Sequence, residues 1–301
     1  MTPRILYSQA AVRGWLPWGL LVPVLAFAFM VVPSLGMGML LDHFELLNDR
    51  GPVGVAGAMA LLLSSFPLIA LVTWAWVRGV ERRPLDTIGL TGAGAMRRFV
   101  HGHLIGVGSV LLVVGAIAVL GGYQASGVLP ALSSAGALGG ALLLLFGFAL
   151  QSSVEEIVFR GWMLSAIARK LNVPIAVLLT SLLFGLLHHS PDNPLAFVGT
   201  FMFSVFACCW ALHAGHVWGV MGWHAGWNWL LCTGFELPLS GTNPIEPALI
   251  TRLVDQGPKL LTGGAYGPEA SVVTIAALVV ASAALIAWHR KPASASASTP
   301  A

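Results

Sequence analysis

Eight apolar stretches, each near the roughly 20 residues that cross a bilayer as a helix, constrain this chain more than any other feature. They are Gly14–Leu41, Val53–Val77, Leu104–Gly122, Gly136–Ala168, Pro174–His188, Leu195–Leu212, Val217–Thr233 and Val272–Trp288. Composition agrees: 57% of residues are hydrophobic and 9% charged, where a soluble domain carries about 25% charged. A soluble chain so poor in charge could not cover its own surface. The sequence therefore predicts an all-α, polytopic integral membrane protein of about eight transmembrane helices. Residues 1–290 form one helical domain, and the low-complexity stretch 291–301 is a disordered tail.

The first stretch is too long for a signal-peptide core of about 7–15 residues and is read as a span. The net charge of +3 leaves no footprint for nucleic acid. Cys208, Cys209 and Cys232 lie in apolar runs without C-x-x-C spacing, so they read as small buried hydrophobes. No fixed-period repeat is visible.

Lys and Arg set the orientation. With both termini cytoplasmic, Arg4, Arg13, Arg78, Arg82, Arg83, Arg97, Arg98, Arg169, Lys170, Arg290 and Lys291 fall inside, against Arg50, Arg252 and Lys259 outside. Composition and the lack of a targeting segment suggest a bacterial inner membrane. The inner stretch Arg78–Val100 is basic, and the outer stretch Gly234–Ala270, rich in Gly and Pro, reads as a partly ordered cap.

The fourth span carries Glu155, Glu156 and Arg160. A charge at mid-bilayer costs from roughly 2.5 to over 10 kcal/mol, so such residues need partners and a reason. Glu156 and Arg160, four apart, share a helix face and can pair. Glu155 points about 100° away and is free to address another helix. Arg169 and Lys170 mark the turn into the next span, which starts at Pro174. Glu155 lies fourteen residues before Arg169 and His188 fourteen after Pro174. Equal rise on antiparallel helices brings both to one level, roughly 20 Å from the turn.

The seventh span adds His224 and, four residues on, Asn228. Gly219, Gly222 and Gly226 thin this helix for a close neighbour. Trp218, Trp223, Trp227 and Trp229 are either an interfacial belt or the wall of a water-filled site. A carboxylate beside an imidazole can activate water, and a second His with an amide can donate to an oxyanion. Glu155, His188 and His224 are equally a donor set of the zinc type. H-E-x-x-H is absent, however, so a divalent metal such as zinc stays an open alternative. His101, His103, His189, His213 and His216 need no role beyond solvated or packed positions.

Glu155-Glu156-x-x-x-Arg160, Phe184-x-x-x-His188 and His224-x-x-x-Asn228, in this order and each on its own span, resemble the three motifs of the CAAX-protease and bacteriocin-processing intramembrane proteases. The resemblance covers a catalytic core of about 138–233, with a looser likeness from Arg83-Pro84-Leu85 to Gly89-Leu90. It implies a CAAX-protease-like eight-helix bundle. It also implies that Glu155 and His188 activate water, that His224 and Asn228 hold the oxyanion, and that Glu156, Arg160 and Phe184 order the site. The implied hydrolysis is glutamate-dependent, and the implied partner is a membrane-embedded or lipidated protein or peptide. Relatives cut prenylated C-a-a-X termini, mature peptides or confer bacteriocin immunity, and nothing in the sequence chooses among these. A proton-coupled transporter and a non-catalytic immunity or scaffold protein are the competing readings. Buried Glu and His also serve proton relays, but the inverted repeats of many carriers are not seen.

Overall fold

The computed structural model describes residues 6–8, 10–49, 51–244 and 246–290. Arg4, Arg50, Lys291 and the 291–301 tail, used above, lie outside the described residues. Helices occupy all eight predicted stretches: α1 (Leu21–His43), α2 (Gly54–Ala75), α3 (Ala95–Val119), α4 (Ala135–Glu156), α5 (Leu164–Lys170), α6 (Val173–Leu187), α7 (Pro194–Ala214), α8 (Trp218–Gly234), a short α9 (Lys259–Thr262) and α10 (Val272–Arg290). The fourth predicted span is one continuous rod from α4 to α5, joined by a π-helical stretch, Ile157–Met163. A second π-helical turn, Trp76–Val80, extends α2.

By length and composition, five of these helices can cross a membrane: Leu21–His43, Gly54–Val80, Ala95–Val119, Ala135–Lys170 and Pro194–Ala214. Val173–Leu187 and Val272–Trp288 are apolar but shorter. The polar α8 is not exposed to lipid along its length. Of its 17 residues all but Trp218 and Trp229 are buried, so the other helices enclose it and supply its environment.

Local signals explain several ends. The Asn172 side chain accepts from the Ile175 N–H at 2.9 Å, with Pro174 in the first turn of α6. Ser134 caps α4 through the Ala137 N–H. Gly215, at φ 70°, closes α7 in the left-handed conformation.

The closest helix contact is between α3 and α8, and it is built from reciprocal glycines. A Cβ on Gly102 would lie 2.0 Å from the Gly219 carbonyl oxygen, and one on Gly106 2.2 Å from that of Trp223. From the other side, a Cβ on Gly222 would lie 1.9 Å from the Phe99 oxygen and one on Gly226 2.3 Å from that of His103. Backbone therefore meets backbone, as small residues permit in membrane helices. Gly219 faces Trp210 as well.

None of the four tryptophans lines the cavity described below, although Trp223 and Trp227 help line a second cavity against α3, α7 and α10. Trp223 and Trp227 are buried and pack on Phe203 and Phe206. Trp229 Nε1 donates to the Ala141 carbonyl and Trp218 Nε1 to that of Thr91, so these indoles join α8 to its neighbours.

The connections gather at two ends. At one, Val217 N–H bonds the Gly89 carbonyl, Gly14 N–H that of Glu81, and Arg169 the Ser8 carbonyl. Here Arg83, counted above among the loop cations, is fully buried. Its Nε meets Glu81 Oε2 and its Nη1 donates to Ser165 at 3.0 Å, while Trp76 and Trp162 donate to Glu81 Oε1. Burial lowers the Arg83 pKa from its ordinary value, against the raising pull of Glu81. At the other end, strand β3 (Tyr123–Ser126) pairs antiparallel with β4 (Arg252–Asp255), and a two-residue ribbon, β1 (Leu47–Asn48) with β2 (Gly51–Pro52), lies between α1 and α2. The long stretch before α10 is thus an ordered part of the fold over its described residues.

Gly222→Ala is expected to destabilise the protein by about 1–3 kcal/mol or more, the usual cost of overpacking, because the clash is with backbone. Thermal unfolding in detergent checks this; a variant as stable as wild type would contradict the packing.

Candidate active site

Glu155 and Glu156 close α4 where the helix gives way to π geometry. Short π segments often mark functional positions because they re-aim side chains. Both glutamates address α8. Glu156 Oε1 accepts from Arg160 Nη1 at 2.9 Å and lies 2.8 Å from His224 Nδ1. Glu155 Oε2 lies 3.9 Å from His224 Nε2. One imidazole therefore stands between two adjacent carboxylates. The expected Glu156–Arg160 pair is present, but Glu156 is not consumed by it, and Glu155 is not alone in reaching across.

Glu155 is 6% exposed, and its Oε2 has no hydrogen-bond partner among the described residues. A buried carboxylate oxygen without a donor is costly, and such a group is held by its surroundings for something other than stability. Arg160 makes its one side-chain hydrogen bond to Glu156; Nε and Nη2 have none. Instead, its guanidinium carbon lies 4.3 Å from the centroid of the Phe184 ring, a cation–π contact strengthened by desolvation. The same ring touches His188, with centroids 4.5 Å apart. Phe184 thus joins Arg160 to His188.

His188 sits just beyond α6, at φ −109° and ψ 14°, rather than within the helix. Its Nδ1 lies 2.9 Å from the Phe184 carbonyl oxygen, and the Tyr266 hydroxyl donates to its backbone carbonyl at 3.1 Å. The Phe184 carbonyl and ring orient the imidazole and Tyr266 holds the backbone, with Nε2 making no hydrogen bond among the described residues. Among the described residues no hydrogen bond joins Glu155 to His188. They meet as walls of the same cavity, of about 180 Å³, which Phe184, His224 and Asn228 also line. A water molecule's share of liquid volume is about 30 Å³, so water and part of a peptide fit together.

Asn228 is anchored by a residue that sequence reasoning missed. Its Nδ2 donates to Gln151 Oε1 at 3.0 Å, and Gln151 also accepts from Ser152 at 3.1 Å. One N–H of the amide stays uncommitted. Gln151 lies four residues before Glu155 in α4, a spacing that was visible as a polar face inside an apolar span. Phe203 packs on His224 with centroids 4.8 Å apart; as an apolar residue in an apolar helix it gave no signal.

The cavity has two chemically different sides. Ala58, Leu61, Leu62 and Phe66 of α2 with Phe148 of α4 form an apolar wall. Ser240, Thr242, Asn243 and Glu269 of the segment between α8 and α10 contribute polar groups to the same cavity. The sequence marked this segment as a cap but named none of its residues for the site.

Among the described residues no group of three or more His, Cys, Asp or Glu side chains is arranged to hold a metal ion. Of the zinc-type donor set, His224 faces Glu155 through Nε2 and Glu156 through Nδ1. The histidines set aside above stay outside the cavity. His103, for instance, packs against Trp229 in the α3–α8 contact.

Residues 137–230 match the family described as Type II CAAX prenyl endopeptidase Rce1-like. This is consistent with the CAAX-protease family to which the three motifs pointed, and the matched span contains every candidate from Glu155 to Asn228. The family implies CAAX-type intramembrane endopeptidase activity in general and fits a multi-pass, all-helical membrane protein. No curated protein and no solved structure matches the chain.

Replacing Arg160 by Met is expected to cost about 3–5 kcal/mol, because it leaves Glu156 buried without its cation. Arg160→Lys keeps the charge, loses the planar stacking on Phe184 and should cost less. Thermal unfolding of both variants checks the order; equal stability of all three proteins would contradict it.

Proposed function

We propose that the protein is an intramembrane endopeptidase that hydrolyses a membrane-proximal peptide bond in an embedded or lipidated protein or peptide. The observation that carries this reading is the buried Glu155 carboxylate, with one oxygen unpartnered, in a cavity it shares with two oriented imidazoles.

Glu155 takes a proton from water, with His188 Nε2 holding that water. The water oxygen adds to the scissile carbonyl carbon. The free N–H of Asn228 and an Nε2–H of His224 donate to the oxyanion as it forms. Glu156 holds the His224 ring through Nδ1, and Arg160 fixes Glu156. No side chain forms a covalent bond to the substrate. Support for the substrate class comes from the apolar wall of α2 and α4, which suits a hydrophobic segment or lipid chain, and from the family match. We orient the end bearing Arg78, Arg82, Arg97, Arg98, Arg169 and Lys170 toward the cytoplasm.

Purified protein in vesicles, given a fluorogenic farnesylated C-a-a-X peptide, tests the reading. Glu155→Gln and His188→Ala should each lower cleavage by at least about 100-fold, the lower range for acid–base groups, with unfolding temperature near wild type. Full-rate cleavage by Glu155→Gln would end this mechanism. Comparison of membrane and secreted peptides from cells making wild type or Glu155→Gln would identify the natural termini.

Chelation should leave the rate unchanged. Loss of cleavage on chelation, restored by added zinc, would contradict a metal-free water activation.

A further inference from the structure

A second carboxyl group enters the cavity from the segment before α10. Glu269 lies in a short 3-10 turn, Pro268–Ala270, and is 7% exposed. Its Oε2 accepts from the Ser240 backbone N–H at 2.6 Å and from the Ser240 hydroxyl at 2.7 Å. No hydrogen bond to its Oε1 is present among the described residues, and Glu269 lines the same cavity as Glu155, His188 and His224.

The turn is held tightly. A Cβ on Gly199 of α7 would lie 2.1 Å from the Glu269 carbonyl oxygen, so only glycine lets the two backbones approach this closely. Thr274 Oγ1 bonds the Pro268 carbonyl. Tyr266, three residues before Glu269, holds the His188 carbonyl. The turn that carries Glu269 is therefore fixed to the residue that orients the catalytic water, although it lies outside the matched span of 137–230.

Water-activated amide hydrolysis needs two proton movements. One proton leaves the attacking water, and another must reach the departing nitrogen, since an amide anion is too poor a leaving group. Glu155 answers the first need, and with His188 on the water and His224 and Asn228 on the oxyanion, no further side chain of the three motifs is left as a separate donor for the second. No Lys or Arg side chain lines the cavity. Burial raises the Glu269 carboxyl above its ordinary pKa, against the lowering effect of the Ser240 hydrogen bonds and the nearby His188 and His224, and so favours the protonated form.

We propose that Glu269 is a further catalytic residue, the acid that protonates the leaving amine. This rests on the endopeptidase reading given above. The water oxygen bonds to the carbonyl carbon while its proton passes to Glu155. The carbon–nitrogen bond then breaks as the Glu269 proton moves to nitrogen. Afterwards Glu155 releases a proton to water and Glu269 takes one up, restoring both groups. Ser240 anchors Oε2, leaving Oε1 as the oxygen to carry the proton.

The test compares the farnesylated C-a-a-X peptide with an analogue whose scissile amide is an ester. An alkoxide departs with far less need of protonation. Glu269→Gln should lower kcat for the amide by about 100-fold or more, leave KM little changed, and lower ester cleavage by a much smaller factor. Glu155→Gln should remove cleavage of both. Equal losses on amide and ester, or full amide cleavage by Glu269→Gln while Glu155→Gln is inactive, would overturn the assignment and leave the endopeptidase reading standing. A wild-type protein that cleaves neither compound would overturn both. Should Glu269→Gln not fold, Glu269→Asp serves instead. It keeps a transferable proton on a shorter arm and should slow the amide more than the ester; a uniform effect on both would count against the proposal.

Discussion

The structure depends on one imidazole held between two carboxylates inside a helical bundle. His224 lies 2.8 Å from Glu156 and 3.9 Å from Glu155. Ionised groups in a low-dielectric interior are tolerated only with partners, so this contact fixes how α4 and α8 face each other. Arg160 then has to sit behind Glu156, and Phe184 has to lie against Arg160. His188 follows, because its ring packs on Phe184 and its Nδ1 meets the carbonyl of that same residue.

The rest of the fold makes that contact affordable in a membrane. A helix as polar as α8 would sit badly in lipid, and here it is enclosed by its neighbours. Glycines on α3 and α8 bring the two backbones together, and tryptophan N–H groups tie α8 to α4 and to the Thr91 turn. At the basic end, Glu81 and Arg83 form a second buried pair, with two indoles and Ser165 as partners. At the other end, the segment between α8 and α10 adds polar side chains to the cavity.

Much of this was legible in the sequence, because hydrophobic length and intramembrane charge are strong signals. All eight apolar stretches are helical, and Glu155, His188, His224 and Asn228 line one cavity. Counting residues from the Arg169–Lys170 turn was enough to bring Glu155 and His188 to a common depth. Other features carry no periodic signal. The π-helical stretch at Ile157–Met163 has no hydrophobic period that marks it off from the α-helix before it. That His224 would bridge both glutamates could not be read from helix faces alone, because α4 changes its winding there. Glu269 and Ser240 lie in a loop whose path is set by tertiary contacts, and the looser likeness at Arg83-Pro84-Leu85 gave no sign that Arg83 is buried against Glu81. The helix-joining role of the Trp218 and Trp229 indole N–H groups had no signal in the sequence, because it depends on which carbonyls the neighbouring elements present.

The most direct measurement is a double-mutant cycle between α4 and α8, with thermal unfolding of Glu156→Gln, His224→Ala and the double variant. Residues in contact within one charged network couple by about 0.5–3 kcal/mol, whereas distant sites add. The account predicts coupling of at least about 1 kcal/mol on that scale, with the double variant losing clearly less than the sum of the single losses. Strict additivity would mean that the imidazole does not stand against the carboxylates, and the site as described would not exist.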